Sequence, residues 1–525
     1  MIKFENVSYT YSDGTTALKD VNLFLNKGER IAAVGGNGSG KTTLALLING
    51  ILRAKSGKIE IGGLDPSDDE DNILLKRKVG LVFQNPDNQL VSTTVEREIA
   101  FSLENMNVPY PEMKNRVEQA LKLFNLKEYR DRLNSDLSGG EKQRLALAAV
   151  MVAEPEILIL DEPGSYLDES GKRLLDDAVN RLLSEKEDLT LIRITQYSNI
   201  AAGYDRMLVF DHGRIIADDT PDAIFSRKDI HRTIGIEIPL TYRIKSTLTH
   251  AKDVIETNDN NIPRIKIVKS VALQSVSFGY NDYGKNRYLF DNVSLEIKSD
   301  KVYGLVGRSG SGKTTLIQLL AGLLKPRKGK VIYGGFESNP GDLAVAFQQS
   351  ERQFFLETVD REIRFGAENM KRHNIEAIVN NCYRLIGLDR EKYCRRNPFT
   401  LSGGEKRRVA FGAILSLEPI FIFFDEPTCA LDHKGIYLFK KTVNRLKSEG
   451  VGVVIISHYG NIIFDLADDI IVLDKGVVVS VSSKRDFFNS VNYQDYLSVP
   501  DSVSYQIEKF GSLRYFSERE LFDNL

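Results

Sequence analysis

Apolar runs from Ile31 to Val34 and from Ile157 to Leu160 recur later in the chain from Val302 to Val306 and from Phe421 to Phe424. Runs this short and this apolar predict strands covered on both faces, as in a parallel sheet between helices. The opening stretch from Ile2 to Leu25 instead breaks into short β-like runs around Ser12-Asp13-Gly14, and predicts an antiparallel subdomain with a turn. Residues from Arg206 to Ile215 predict a hairpin. From Asn85 to Asp136 the pattern is helical and rich in charge, which predicts an inserted helical subdomain. Helical patterns also run from Thr43 to Asn49, from Leu145 to Ala153 and from Leu240 to Ile255. The fold class is therefore α/β.

The same sentence of motifs is written twice. Gly35-Gly36-Asn37-Gly38-Ser39-Gly40-Lys41-Thr42 matches Gly307-Arg308-Ser309-Gly310-Ser311-Gly312-Lys313-Thr314, and Phe83-Gln84 matches Phe347-Gln348. Leu137-Ser138-Gly139-Gly140-Glu141-Lys142 matches Leu401-Ser402-Gly403-Gly404-Glu405-Lys406, and Asp161-Glu162-Pro163 matches Asp425-Glu426-Pro427. From the glutamine to the serine the separation is 54 residues in both copies, and from that serine to the aspartate it is 23 in both. Only the lysine-to-glutamine interval differs, 43 against 35, which is expected to be a change of loop length. A fixed internal period of this kind sets the architecture. Two domains are expected, at 1–238 and 269–482, with a helical extension and polar linker at 239–268 and a helical tail at 483–525.

Composition narrows the function classes. A chain of 525 residues is too long for one core. With 42% hydrophobic and 27% charged residues it reads as folded, soluble protein. A formal net charge of −2 gives no global reason to expect nucleic acid as a partner. Cys382, Cys394 and Cys429 are too few and too scattered for an iron–sulfur cluster or zinc finger, and fit a reducing compartment. The N-terminal residues lack an apolar signal core, and no run approaches the ~18–20 apolar residues that span a bilayer. The chain is expected not to cross a membrane.

The chemistry sits at the ends of the apolar runs. Strand, glycine loop and helix in succession form a phosphate cradle, because bare main-chain N–H groups can turn inward and the helix N-terminus adds its positive dipole end. Lys41 and Lys313 would reach the terminal phosphates, and the Thr42 and Thr314 hydroxyls the magnesium ion that bridges them. Asp161 and Asp425, closing buried strands, would hold that ion through water. Glu162 and Glu426 would polarise the attacking water as general bases. Ser138 and Ser402, each three residues before Glu141 or Glu405, predict capping boxes, yet a glycine pair inside a first helical turn weakens the helix it begins. Bare amides that must approach a γ-phosphate would explain the sacrifice at Gly139, Gly140, Gly403 and Gly404.

This set, in this order, resembles the ATP-binding cassette ATPases, with Walker A, Q-loop, signature, Walker B and D-loop, over nearly the whole chain and twice. The resemblance implies a P-loop cassette in each half, with ATP and Mg2+ as cofactors. It implies that nucleotide is sandwiched between the Walker A loop of one cassette and the signature of the other. Nucleotide would contact Gly35, Asn37, Gly38, Ser39, Gly40, Lys41, Thr42 and Thr43 in the first copy. In the second it would contact Gly307, Ser309, Gly310, Ser311, Gly312, Lys313, Thr314 and Thr315. Gln84 and Gln348 would join the metal set, Tyr11 and Tyr280 would stack on adenine, and Asp168 and Asp432 would cross between cassettes in the D-loops. His458 matches the switch histidine that contacts the γ-phosphate, whereas the first copy carries Gln196, an amide that holds no proton or charge at neutral pH. Unequal sites are expected, the second hydrolysing faster.

After each Q-loop glutamine, the segments from Asn85 to Glu96 and from Ser350 to Val359 resemble the ATPases of energy-coupling factor transporters, importers of cobalt, nickel and vitamins. Gly235-Ile236-Glu237-Ile238-Pro239 and Leu497-Ser498-Val499-Pro500 are similar to that group's C-terminal dimerisation segments. The resemblance implies a transmembrane T-component seated behind the Q-loops, where Asp87 and Glu351 could accept its arginines, a separate substrate-capturing S-component, and a peripheral position on the cytoplasmic face of the membrane. Alternatives remain a tandem cassette acting on ribosomes, which would be expected to carry a long charged arm between copies, and a sugar-importer ATPase. A zinc-bearing DNA-repair cassette would need cysteine clusters that are absent here.

Overall fold

The computed structural model describes residues 1–164, 167, 169–227, 229, 236–247, 268–280, 288–308, 310–347, 354–428, 431–490, 493–515 and 520–521. They form two compact units, Met1–Tyr242 and Arg243–Leu525. Each unit is built on one six-stranded sheet and one three-stranded antiparallel sheet.

In the first unit the large sheet runs, edge to edge, Val79–Val82, Ile157–Asp161, Thr190–Ile194, Arg30–Gly35, Arg206–Asp211 and Arg214–Asp219. The first five are parallel and the last closes an antiparallel hairpin. The apolar runs that predict doubly covered strands are buried along their lengths: every residue from Ile157 to Asp161 is buried. The antiparallel sheet pairs Ile2–Thr10 with Thr16–Leu25 and Ser56–Ile61. It shares a core with the helix Lys41–Ile48, while helices Val95–Asn105, Tyr110–Leu123 and Gly139–Met151 pack over the opposite face with their own core.

The second unit repeats the plan in the order Leu343–Ala346, Phe421–Asp425, Gly452–Ile456, Val302–Val306, Asp469–Asp474 and Val477–Ser483. The duplication extends to the main chain: Asn6 and Ser275, Glu154 and Glu418, Glu162 and Glu426, His212 and Lys475 all hold positive φ at matching places. The shorter lysine-to-glutamine interval corrects the loop-length expectation. The first unit inserts a whole helix, Asp69–Lys78, where Lys328–Gly334 leads to Leu343–Ala346 with no helix between. That helix is locally well specified: Asp68 accepts the Glu70 and Asp71 N–H groups, acids fill the first turn and bases the last.

The tail is seated on the second unit rather than trailing from it. Phe487, Phe488, Tyr493, Leu497 and Val503 share one buried cluster with Phe464 and the sheet residues Ile422 and Ile455. Helix Leu240–Thr247 begins the expected joint, whose remainder to 267 lies outside the described residues. Among the described residues no helix is long and apolar enough to cross a membrane.

Candidate functional site

In both units the glycine loop, the strand-end acids and the switch residue meet at the carboxyl ends of the large sheet's parallel strands, where open α/β sheets leave their crevice. The central strand Arg30–Gly35 hands the chain to the glycine loop and then to helix Lys41–Ile48. Only glycine fits at the hinge: a Cβ on Gly35 would lie 2.3 Å from the Phe210 carbonyl oxygen, and one on Gly307 2.0 Å from that of Leu473. Lys41 is folded back into its own loop, its Nζ donating to the carbonyls of Gly35 and Gly36 at 2.8 Å and to Ser39 Oγ at 3.2 Å. Lys313 does the same to Gly307 at 2.7 Å and Arg308 at 3.0 Å. The hydroxyl of Ser311 is buried in the same loop and, among the described residues, has no hydrogen-bond partner.

Thr42 Oγ1 donates to Asp161 Oδ2 at 2.8 Å, and Thr314 Oγ1 to Asp425 Oδ2 at 2.7 Å. Burial pushes both carboxyls above the usual range, against the lowering effect of the threonine hydroxyl and of Lys41 or Lys313. The next residues, Glu162 and Glu426, sit at φ 46° and 49°, a left-handed conformation unusual for glutamate. Strain of this kind persists where the surroundings enforce it.

Around those two glutamates the units part company. In the first, Gln84 Nε2 donates to Glu162 Oε2 at 2.9 Å and Gln196 Nε2 to Glu162 Oε1 at 2.6 Å. The Gln196 amide also donates to Asn37 Oδ1 at 3.1 Å, tying the glycine loop to the carboxylate. In the second, His458 Nε2 stands 3.6 Å from Glu426 Oε1. There Arg407, buried on the signature helix Gly403–Leu415, donates to the Glu426 carbonyl at 2.8 Å.

Tyr11 and Tyr280 lie beside the loops, each hydroxyl 3.0 Å from the hydroxyl of Thr43 or Thr315. Each ring meets one strand aromatic edge-on, Tyr9 or Phe278. The capping boxes form in both units: Ser138 N donates to Glu141 Oε2 at 2.7 Å and Ser402 N to Glu405 Oε2 at 2.9 Å. Local packing does not demand glycine at two of the signature positions: a Cβ on Gly403 would meet nothing within 4 Å, and one on Gly140 only Leu167 at 3.6 Å. Asp432 caps helix His433–Glu449 by accepting from Gly435 N–H at 2.9 Å. Asp87 is ion-paired with Lys142 at 2.7 Å, which links the segment after Gln84 to the signature helix. Ser309, Gln348, Glu351, Asp168 and Cys429 lie outside the described residues.

Three features escaped the sequence reading. Arg407 carries no motif, and neither does Tyr393, whose hydroxyl donates to Glu405 Oε1 at 2.7 Å. Tyr129, which bonds Glu141 in the first unit, stands at the same spacing from its signature glutamate, so the internal repeat would have found the pair.

The residues fit a nucleotide with a hard divalent cation. A loop whose hinge glycines admit no Cβ, an unpartnered buried hydroxyl and a folded-back lysine suit phosphate oxygens. The threonine–aspartate pair supplies oxygen ligands only, and among the described residues no group of three or more acids, histidines or cysteines could cage a metal by itself. Magnesium held by one carboxylate, a hydroxyl and phosphates matches such a set.

A family model described as ABC transporter matches residues 18–165 and 290–429. A Methanosarcina mazei protein, provisionally named an ABC transporter ATP-binding protein, is 33% identical over 93% of this chain and 90% of its own length. A Bacillus subtilis protein, provisionally named the HMP/thiamine import ATP-binding protein YkoD, is 29% identical over 93% of this chain and 92% of its own. Among solved structures, cbiO1 from Clostridium perfringens, described as part of the ABC transporter complex cbiONQ, is 34% identical. It covers 48% of this chain and 95% of its own, with a TM-score of 0.41. The chain belongs to the ABC transporter family, as an ATP-hydrolysing protein that carries two ATP-binding cassettes in one polypeptide.

Proposed function

We propose that this ATPase is the energy-coupling subunit of a membrane importer of the energy-coupling factor type. The observation that carries the reading is the convergence, twice, of a folded-back lysine, a threonine–aspartate pair and a strained glutamate at the carboxyl ends of one parallel sheet. The import direction draws support from the relative named for HMP/thiamine import and from the segments that follow Gln84 and Gln348.

Each site is composite in this proposal. Lys41, Thr42, Asp161, Glu162, Gln84 and Gln196 act with Ser402 to Glu405, and Lys313, Thr314, Asp425, Glu426, Gln348 and His458 act with Ser138 to Glu141. The open Gly403 position supports it, since a glycine its own unit does not need leaves room for a phosphate against the helix N-terminus. Thr42 with Asp161, and Thr314 with Asp425, would hold Mg2+, which neutralises charge on the phosphates when bound. On nucleotide entry the lysine exchanges its loop carbonyls for phosphate oxygens. Glu162 or Glu426 orients a water and takes its proton as the water oxygen attacks the γ-phosphorus and ADP leaves.

The cassettes transmit closing and reopening to a transmembrane T-component paired with a substrate-binding S-component, from a peripheral position on the cytoplasmic face. Purification of the full chain from detergent-solubilised membranes tests this. A small polytopic partner is expected, whereas co-purifying ribosomes would replace the transport reading with the translation one.

A further inference from the structure

The second unit contains a contact that ATP chemistry alone does not require. After Leu497, which is fully buried, the chain passes directly behind the switch histidine. Ser498 binds the His458 carbonyl twice, from its main-chain N–H at 3.3 Å and from its hydroxyl at 3.3 Å. The same hydroxyl accepts the Gly460 N–H at 2.8 Å. Three residues on, Asp501 N–H donates to Asn461 Oδ1 at 2.8 Å, and Asn461 Nδ2 returns a bond to Asp501 Oδ2 at 3.1 Å and one to Tyr459 Oη at 2.9 Å. Residues 458–461 are thus held from one side by residues 498–501.

The approach is so close that it dictates a residue. A Cβ on Gly460 would lie 2.0 Å from the Ser498 carbonyl oxygen, so only glycine admits the tail here. The first unit has Ser198 at the position of Gly460 and Glu237 at that of Ser498, so this glycine and this serine hydroxyl are not repeated beside Gln196.

We propose that the C-terminal segment 497–501 is a positioning element for the second nucleotide site: through Ser498 it fixes the main chain of His458, and so the distance of its ring from Glu426, making turnover there depend on a seated tail. The inference rests on the catalytic reading of His458 given above. Ser498 touches neither nucleotide nor the reacting atoms and acts through the histidine. Because the His458 side chain stands 3.6 Å from Glu426, small main-chain shifts alter whether the two can cooperate on a γ-phosphate.

The test uses the full chain carrying Glu162→Gln, so that turnover reports the second site, and measures kcat and KM for ATP. Ser498→Ala is expected to lower kcat about five-fold, the effect of one neutral hydrogen bond, with KM unchanged within about two-fold. Ser498→Thr, which keeps the hydroxyl, restores the rate. Gly460→Ala, which forces the Ser498 carbonyl away from the other side, repeats the loss without altering the tail. In a chain already carrying His458→Gln, Ser498→Ala lowers kcat no further, since coupled residues are not additive. The same fall in both backgrounds, or no fall from Ser498→Ala or Gly460→Ala, overturns the positioning role alone. A His458→Gln chain that turns over at the unsubstituted rate overturns the catalytic reading of the histidine, and this inference with it.

Discussion

Glu162 is held by two amides, and if it is the first site's general base, as proposed, that clamp should slow turnover in a way a single substitution relieves. A hydrogen bond donated to a carboxylate stabilises its charge and weakens it as a base, and Gln196 and Gln84 each donate to a different oxygen of this one, at 2.6 and 2.9 Å. A hydrogen bond to a charged acceptor contributes about 1.5–3 kcal/mol, and Glu162 is half-buried, so the lower end applies. Releasing the shorter bond should lower the barrier by about 1.5 kcal/mol, roughly ten-fold in rate. Gln196→His makes that change, because the histidine of the second unit stands 3.6 Å from its glutamate, beyond hydrogen-bond reach. The assay is steady-state phosphate release by the full chain in a Glu426→Gln background, which silences the second site. We expect kcat to rise about ten-fold over the Glu426→Gln chain, with KM for ATP changed less than about two-fold. A rate that stays level or falls, or a gain confined to KM, refutes the clamp.

Three further outcomes follow from the same geometry. Burial raises the Asp161 carboxyl, so the folded state carries a desolvation cost once pH rises through that raised value, and none below the unfolded value where both states are protonated. Asp161→Asn should therefore stabilise the nucleotide-free protein by about 1 kcal/mol at pH 7, with the gain shrinking toward pH 4, while abolishing first-site turnover; thermal melts across pH check it. Gly403→Ala should leave the melting temperature level or slightly raised, since the new methyl meets nothing within 4 Å and alanine favours helix, yet reduce ATP turnover more than about ten-fold. Unchanged turnover would mean that the signature does not face a phosphate. Arg407→Gln removes the donor to the Glu426 carbonyl and should cost about 2 kcal/mol in denaturant unfolding, with a loss of second-site kcat that Gln143→Ala does not reproduce in the first.

Much of this was readable in the chain because glycine, lysine and carboxylate at fixed spacing permit few alternatives. Gly35 admits no side chain, Thr42 and Asp161 meet as strand-end neighbours must, and Ser138 and Ser402 close the capping boxes their spacing predicts. What stayed hidden depends on long-range approach rather than local pattern. Arg407 looks like any charge on a helix until Glu426 adopts its left-handed conformation and turns a carbonyl toward it. Gly460 reads as a helix start and becomes obligatory only because residue 498, thirty-eight positions later, comes to rest against it. The inserted helix Asp69–Lys78 leaves little helical pattern in the sequence because it is short and mostly polar, with Asn72 and Leu75 its buried residues.

Several of the positions where the two units differ lie close to the strand-end glutamate. Gln196 against His458 and Gln143 against Arg407 each touch the strand-end glutamate or the loop beside it, and Ser198 against Gly460 lies two residues beyond the switch position. In an assembly of two identical cassettes such a divergence could not arise, because every change would appear in both sites at once. One polypeptide carrying both copies removes that constraint, and each glutamate can acquire its own surroundings: the Gln196 amide at Glu162, and a histidine, an arginine and a tail contact near Glu426. Amides bind without exchanging protons, whereas an imidazole beside a carboxylate can respond to the charge of a departing phosphate. The fused chain therefore has the means to separate holding a nucleotide from splitting one, and to do so with a handful of side chains at the ends of two buried strands.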